Sequence, residues 1–541
     1  MGHCIFRSAV YLSFAAILAS CGGGGGGSGT NTGPVAVAVA VEGRIQFESI
    51  PFSSKGLEYA STVMKPARAV IVRLVDMAGN SIVTGTTDAN GQYKLIAPRP
   101  VPVRLQVYSV MSHANDSGSN WSVTVADNTH GGALWAAQSE TFTPGDTPGI
   151  ITTTLGSGWK TNAATGRPVA AEGRAAAPFA ILDTIYESQE KIRSALPGAT
   201  FKPLIVMWSP DNRPSSSFDP PTGQIGGSRF INFPDAPTIY LVGKANVDTD
   251  EYDGSVITHE WAHYFQQFFS RNDSIGGSHG TGQQLDRTLA FSEGLATAWS
   301  GIVLNRAHYI DTTGLDQASV LLQDMENGPS TGRGWFNEDS IAHVIWKLDK
   351  WGSAAPIIQA LTGPLRTQAA PVGIHAFNAA LLKVNTTAGA AFGPILASQG
   401  IFPGADAWGT GETNSGRSTV AIPMSRLLTL ETPLAASCVS RELDLANVGN
   451  KLGGYAYFRV SILKAGAHFV SVVGPFGSHP LFSIADGVGV INRSVVNPLF
   501  SNSASAGAYL SAGDYLLRLR DEKSLTEKTC FIVQLTQGVS P

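Results

Sequence analysis

Two blocks in which apolar and polar residues alternate flank a central block with helical periodicity. In the first block, 41–155, short β-branched segments such as 69–75 are separated by Gly, Asn and Asp turn signals, and the last block, 420–541, repeats this pattern. Between them, segments such as 254–269 place apolar residues every three or four positions. Because 541 residues exceed what one core holds, we predict a multidomain chain, with two β-sandwiches flanking an α+β domain at 175–415.

The predicted helix 254–269 carries His259, Glu260 and His263 in the order H-E-x-x-H. Residues four apart lie on one face of a helix, so both imidazoles can bind one metal ion, and Glu260 can reach a water on that metal. This pattern is typical of catalytic zinc sites, which keep one coordination position open. The alternative is two hydrogen-bonded core histidines with Glu260 at the surface. The apolar flanks of the helix favour the metal site.

A third metal ligand is predicted on a second helix-like segment, Leu289-Ala-Phe-Ser-Glu-Gly-Leu-Ala-Thr-Ala-Trp299. With the H-E-x-x-H motif, this segment resembles the gluzincin metallopeptidases, the clan of thermolysin and aminopeptidase N. The resemblance implies a zincin-like fold, with a small sheet, a zinc helix and a helical lower subdomain. It also implies one Zn²⁺ per chain on His259, His263 and Glu293, with Glu260 as the catalytic base. The alternative for Glu293 alone is a carboxylate favoured by a helix N-terminus.

Three positions separate the chain from other zinc peptidases. Gln266 and Phe269 occupy the places where the metzincin pattern requires Gly and His, so that pattern is excluded. Thr297 lies four residues after Glu293, where thermolysin-like members place an Asp that orients a histidine. Thr can accept a hydrogen bond but carries no charge, so we expect weaker support for the ligand, or support from elsewhere.

The gluzincin resemblance also implies two features around the cleft. One is a sheet edge that pairs with extended substrate, for which the predicted strand 239–243 is the candidate. The other is a Tyr or His that stabilises the oxyanion of the tetrahedral intermediate, for which His308, Tyr309 and His343 are candidates.

The N-terminus has the pattern of a targeting segment. Arg7 precedes an apolar run, and Leu-Ala-Ser-Cys21 resembles the lipobox of a bacterial lipoprotein. We therefore expect a signal peptide at 1–20, a flexible Gly-rich tether at 21–40, and a lipid on Cys21 that anchors the protein to the cell envelope. By resemblance to known sorting signals, Gly22 favours the outer membrane. The alternative is an ordinary secretory signal with a coincidental cysteine.

The two cysteines of the last block, Cys438 and Cys530, are predicted to form a disulfide, because an even pair in an exported protein favours one. Free buried thiols are the alternative. In the first block, the Thr87-Asp-Ala-Asn-Gly-Gln-Tyr93 sequence resembles the carboxypeptidase-regulatory-like, or transthyretin-like, domains of secreted bacterial proteins. The last block resembles the β-domains appended to secreted bacterial proteases.

Charge narrows the possible partners. The net charge is −4 and charged residues make up 14%, so nothing indicates nucleic-acid binding. An acidic cluster at 248–253 precedes the zinc helix. The favoured interpretation is a set of helix N-terminal carboxylates with Asp253 or Ser255 as N-cap, and the alternative is a Ca²⁺ site.

The sequence thus predicts a membrane-anchored, exported zinc metallopeptidase that cleaves a peptide or protein substrate. The alternative is a non-catalytic surface binding lipoprotein with a vestigial metal site. The intact Glu260 favours the enzyme, because the base is dispensable in a protein that only binds.

Overall fold

A computed structural model describes residues 38–98, 101–114, 120–145, 150–170, 173–412, 423–439, 453–493, 495–496, 502–522 and 528–538. Within these residues the chain is a multidomain, mixed α/β protein with one large core and a separate C-terminal core. Cys21, the predicted signal peptide and most of the predicted tether lie outside the described residues. None of the helices in the described part is long and apolar enough to cross a membrane.

The helices lie between the two β-rich blocks. In chain order they are α1 (Ala177–Ala195), α2 (Gly254–Phe269), α3 (Arg287–Leu304), α4 (Glu338–Trp351), α5 (Ala354–Thr362), α6 (Pro364–Thr367), α7 (Ile374–Val384) and α8 (Thr386–Ser398). Single 3₁₀ turns occur at Tyr59–Ser61, Asn128–His130, Pro220–Thr222 and Leu315–Gln317. The N-cap of α4 is Asn337, whose side chain accepts a hydrogen bond from the Ser340 N–H.

A nine-stranded sheet forms the centre of the described molecule. Its main path runs through Arg229–Ile231, Thr238–Leu241, Leu204–Trp208, Asn120–Asp127, Arg104–Ala114, Val70–Val75 and Ser81–Thr86, with Ala133–Leu134 and Ala136–Gln138 added at its side. Leu204–Trp208 pairs in parallel with both neighbours, and the other pairings are antiparallel. Strands from the predicted first sandwich and from the predicted central domain therefore belong to one sheet.

The remaining strands of the N-terminal block pack against this centre. Ala38–Ser49 pairs with Ile150–Leu155 in parallel and with Val63–Pro66 and Gln92–Pro98 antiparallel. Helix α1 shares one buried core with both sheets, and Arg68 of the N-terminal block binds Asp183 of α1 at 2.5 Å. The expected boundary between 41–155 and 175–415 thus divides a continuous core. The reason is a strand pairing between residues some eighty positions apart, which local patterns do not encode.

Three smaller sheets complete the body. One contains Gly243–Lys244, Asp248–Thr249, His308–Thr313 and Ser319–Asp324, and it lies beside the start of α2. The others are the two-stranded pairs Phe52–Ser53 with Gly56–Leu57 and Trp159–Thr161 with Pro168–Ala170.

The C-terminal part contains two five-stranded sheets among the described residues. One runs through Arg426–Leu428, Ala456–Ile462, Gly513–Asp521, Pro480–Ala485 and Val490–Arg493, and the other through Leu434–Val439, Thr529–Gln537, Gly466–Val473, Ser503–Leu510 and Val495–Val496. Both sheets contribute to one core, which is the arrangement of a β-sandwich. A further strand predicted at 441–445 lies outside the described residues.

The predicted disulfide is present in this sandwich. Cys438 and Cys530 lie directly opposite each other on paired strands, with their Cα atoms 3.9 Å apart, and their sulfurs are bonded. The sandwich contacts the body where Tyr457 donates to the Asp286 carboxylate, the N-cap of α3, at 2.8 Å.

Candidate metal centre

Helix α2 brings the two histidines together. It buries nearly all of its apolar residues, and Trp261 and Phe265 pack against Trp299 of α3 with ring centroids 6.0 and 5.4 Å apart. One turn apart on another face, His259 and His263 direct their Nε2 atoms towards each other, with 3.3 Å between them. The aromatic layer therefore fixes α2 against α3 and leaves the imidazoles facing the carboxylate of that helix.

Glu293 completes a three-atom cluster. Its Oε2 lies 3.3 Å from His259 Nε2 and 3.2 Å from His263 Nε2. Ligands about 2.05 Å from a tetrahedral Zn²⁺ would be separated by about 3.3 Å. The three measured separations match the edges of such a tetrahedral face, and two imidazoles with one carboxylate are a donor set that zinc favours. The residues present therefore fit Zn²⁺, with these three as the groups that would hold it.

Polar side chains support both histidines from behind. Thr297 Oγ1 lies 3.2 Å from His259 Nδ1, so an Nδ1–H donated to the hydroxyl leaves Nε2 free to face the cluster. Around His263 Nδ1 lie Ser292 Oγ at 3.4 Å and Gln266 Nε2 at 3.5 Å. The hydroxyl of Thr297 thus occupies the orienting position that the sequence comparison with thermolysin-like enzymes left in doubt.

Glu260 is held by a neighbouring strand. Its Oε2 accepts a hydrogen bond from the Phe230 N–H at 2.7 Å, and the residue is 9% exposed. Phe230 belongs to Arg229–Ile231, the edge strand of the central sheet. The expected edge at 239–243 is wrong for its first part, because Thr238–Leu241 is paired on both sides. The short strand 229–231 gave too weak a pattern to be recognised in the sequence.

The segment between α2 and α3 contributes His279. Its Nε2 lies 3.3 Å from Glu293 Oε2 and 3.8 Å from Glu338 Oε2, although it does not join the three-atom cluster. No motif in the sequence assigns His279 to the site. The one sequence feature that could have indicated its proximity to the site is its position in a long polar segment between the two helices that carry the predicted metal ligands.

The electrostatics of the cluster keep Glu293 ionised. Burial alone would raise its pKa, but the charge of His263 and hydrogen bonds from the surrounding histidines hold the pKa well below its usual range. Burial would lower the pKa of His279, yet Glu293 and Glu338 raise it to about 10. Burial raises the pKa of Glu338 to about 8. The raised pKa values of His263 and His279 thus place positive charge beside this buried carboxylate, and a metal ion bound by His263 would displace the proton of that imidazole.

A cleft of about 950 Å³ opens in front of the cluster. Residues 226–230 line one wall, residues 272–281 line another, and Glu260 and Tyr309 face the same space. Of the three oxyanion candidates, Tyr309 lines this cleft, with its ring centroid 5.7 Å from that of His259. His343 binds the Met325 carbonyl at 2.9 Å, and His308 lines a different depression.

No family model matches the chain, and no curated protein matches it. Among solved structures, the pre-peptidase C-terminal domain of a collagenase from Bacillus anthracis is 11% identical, covers 21% of this chain and 94% of its own, and has a TM-score of 0.17. The surface-associated copper-binding protein CorA from Methylomicrobium album BG8 is 7% identical, with coverages of 22% and 98% and a TM-score of 0.17. The periplasmic lysozyme inhibitor PliG from Aeromonas hydrophila is 11% identical, with coverages of 21% and 99% and a TM-score of 0.14. Scores of this size do not establish a shared fold.

Proposed function

We propose that this protein is a zinc-dependent peptidase. The observation that carries the proposal is the triangle of His259 Nε2, His263 Nε2 and Glu293 Oε2, with edges of 3.2–3.3 Å. Beside it lies the Glu260 carboxylate, which the Phe230 N–H holds in place. We infer a zincin-like arrangement around it, with the central sheet above the cleft, α2 as the zinc helix and α3 to α8 as a helical lower subdomain.

Glu260 is the proposed general base and general acid. A Zn²⁺ ion bound by the three ligands would polarise a peptide carbonyl and lower the pKa of water. Glu260 takes the proton from the attacking water and passes it to the leaving amine. The Phe230 N–H commits one carboxylate oxygen to the strand and so fixes the orientation of the other, which we propose as the proton acceptor.

The edge strand suggests how a substrate lies. The Phe230 N–H points away from Thr238–Leu241 and into the cleft, and the N–H and C=O of one residue point to the same side of an antiparallel strand. The Phe230 C=O therefore faces the cleft beside this N–H. We propose that an extended peptide pairs with residues 228–230 and so places a scissile bond in front of Glu260.

Tyr309 is the proposed oxyanion donor. Burial, with the nearby Asp311 carboxylate next in importance, raises its pKa well above the ordinary value, so the phenol stays protonated and can donate a hydrogen bond. Its place on the cleft wall beside His259 supports this role.

We also propose that the protein works outside the cytoplasm, anchored by a lipid on Cys21. The lipobox-like sequence and the Cys438–Cys530 disulfide support this, because disulfides persist in oxidising compartments.

The test combines metal analysis with hydrolysis of an unfolded protein by the purified full chain. Wild type should contain about one zinc and cleave the substrate. Glu293→Ala should lose the zinc, and Glu260→Gln should keep it while hydrolysis falls by about 10²–10⁴. Tyr309→Phe should lower kcat with zinc retained, and the exposed Asp235→Asn is the matched control. Zinc-loaded wild type that cleaves no peptide would instead indicate the non-catalytic binding protein.

A further inference from the structure

A second acidic cluster lies beside the start of α2 and shares no residue with the zinc triangle. Asp248 and Asp250 precede the helix, and Asp311 lies on His308–Thr313, whose Thr313 pairs with Asp248. One carboxylate oxygen from each of these three aspartates lies within 4.8 Å of the others. Residues some sixty positions apart in sequence are therefore brought together by strand pairing.

The cluster contains buried oxygens without a partner. Asp250 is 2% exposed and Asp253 is fully buried, and Oδ1 of each lacks a hydrogen-bond partner. The Oδ1 atoms of Asp248 and Asp311 are also buried and unpartnered. Leaving several buried carboxylate oxygens unsatisfied costs free energy, so the arrangement indicates a group that they bind.

The Oδ2 atoms of Asp250 and Asp253 accept hydrogen bonds that hold these two carboxylates in place. Ser228 Oγ donates to Asp250 Oδ2. The Thr312 N–H and Oγ1 donate to Asp253 Oδ2 at 2.7 and 2.8 Å. Asp253 is the N-cap residue of α2, one of the two positions expected from the sequence, but its side chain makes no capping hydrogen bond.

The protein supplies no counter-charge to the cluster within its described part. No Lys, Arg or His nitrogen there forms an ion pair with any of these four aspartates. The neighbouring Arg174 is committed to Glu251 at 2.5 Å, where both side chains are buried. A buried group of carboxylates is stable only when a cation or protons neutralise it.

We propose that Asp248, Asp250 and Asp311 bind a Ca²⁺ ion, with Asp253 beside them. The donors are all carboxylate oxygens, which hard cations prefer, and the absence of nitrogen or sulfur donors in this set disfavours zinc. Ca–O bonds of about 2.4 Å allow ligand oxygens to lie up to about 4.8 Å apart across the ion. Mg²⁺ demands shorter, near-octahedral bonds and retains its waters, so Ca²⁺ suits this wider carboxylate group better.

The ion would fix three segments that surround the cleft. Asp250 holds Ser228, two residues before the Phe230 N–H that positions Glu260. Asp311 follows Tyr309 by two residues on one strand, so both side chains lie on one face. We therefore assign the Ca²⁺ a positioning role for the base, and this role rests on the proposed peptidase function, whereas the binding itself does not.

Calorimetric titration of the metal-stripped full chain with CaCl₂ tests the binding. We expect one Ca²⁺ per chain, and a rise in Tm of about 3 °C or more at a hundredfold excess over the dissociation constant. Asp250→Asn and Asp311→Asn should each weaken binding at least tenfold, whereas the control Asp235→Asn should bind as wild type does. Glu293→Ala, which removes the zinc ligand, should also bind Ca²⁺ normally, so a failed zinc site is distinguished from a failed calcium site.

The metal-free Tm shows that the variants fold. Asn removes repulsion among the carboxylates, so metal-free Asp250→Asn and Asp311→Asn should melt no lower than metal-free wild type. The proposal is overturned if wild type binds no Ca²⁺, because protons then neutralise the cluster. It is also overturned if both Asn variants bind Ca²⁺ with wild-type affinity, or if this cluster takes up Zn²⁺ in preference to Ca²⁺.

Discussion

Gly294, next to the proposed ligand Glu293, lies where α3 packs tightly against α4. A Cβ added at this position would lie 2.5 Å from the Glu338 carbonyl oxygen and 2.5 Å from Ile341 Cβ. Carbon atoms in ordinary contact are about 3.5–4.0 Å apart, and neither neighbour is the end of a flexible side chain. Gly294→Ala therefore requires α3 and α4 to separate by about 1 Å.

The magnitude follows from two opposing effects. Replacing Gly by Ala inside a helix stabilises it by about 0.5–1 kcal/mol, and overpacking a core costs about 1–3 kcal/mol. We expect Gly294→Ala to lower the free energy of unfolding by about 1–2 kcal/mol. Metal sites tolerate displacements of only about 0.2 Å, so a shift of α3 that carries Glu293 with it should weaken zinc binding by at least about tenfold.

The assay is a urea titration of the metal-free protein together with a chelator-competition measurement of zinc affinity. Gly254→Ala is the matched control, because it adds the same methyl group to α2, where the nearest atoms are 3.4 Å away. It should stay within about 0.5 kcal/mol of wild type and keep its zinc affinity. A Gly294→Ala protein as stable as this control, with wild-type zinc affinity, would refute the close packing of α3 against α4.

Arg68→Met should lower the free energy of unfolding by about 2–3 kcal/mol at pH 7.5, because it leaves the buried Asp183 carboxylate with only a lysine at 3.5 Å. Burial raises the pKa of Asp183 even beside Arg68, so the folded variant binds its proton more tightly than the unfolded chain and the loss should shrink towards pH 4.5. Urea titrations at both pH values check this, and equal losses would contradict it. Thr297→Val should leave the urea midpoint nearly unchanged but weaken zinc binding by about 10–100-fold, since it removes the hydroxyl behind one imidazole; unchanged affinity in chelator competition would show that this hydroxyl does not orient the ligand. Replacing Cys438 and Cys530 by Ser opens a link across 92 positions and should destabilise the C-terminal sandwich by up to about 4 kcal/mol in calorimetry. Zinc content should stay at the wild-type value, and its loss would show that the two parts are coupled.

The two histidines of the metal triangle were predictable because their spacing is a local signal. His259 and His263 share one face of a single helix, and the helix periodicity of 254–269 places them there without any tertiary information. Glu293 was reached through a resemblance to known sequences, and the structure places its carboxylate 3.2–3.3 Å from both imidazoles.

The residues around the triangle could not be predicted from the sequence, because they are brought together by contacts between segments that are distant in sequence. The edge strand 229–231 is three residues long, and its role is defined by the 2.7 Å bond from Phe230 to Glu260. Asp311 joins Asp248 and Asp250 through a sheet whose pairing no local window contains. His279 reaches Glu293 from a segment without periodicity.

The sequence by itself predicted the two histidines and the glutamate of the candidate metal triangle, the helix at 254–269 and the pairing of Cys438 with Cys530. Only the tertiary structure decided that the N-terminal strands continue into the central sheet, which strand borders the cleft, and that a second group of carboxylates forms beside α2. The physical reason is that helical periodicity and ligand spacing are short-range properties, whereas strand order and register are set by burial of the whole core.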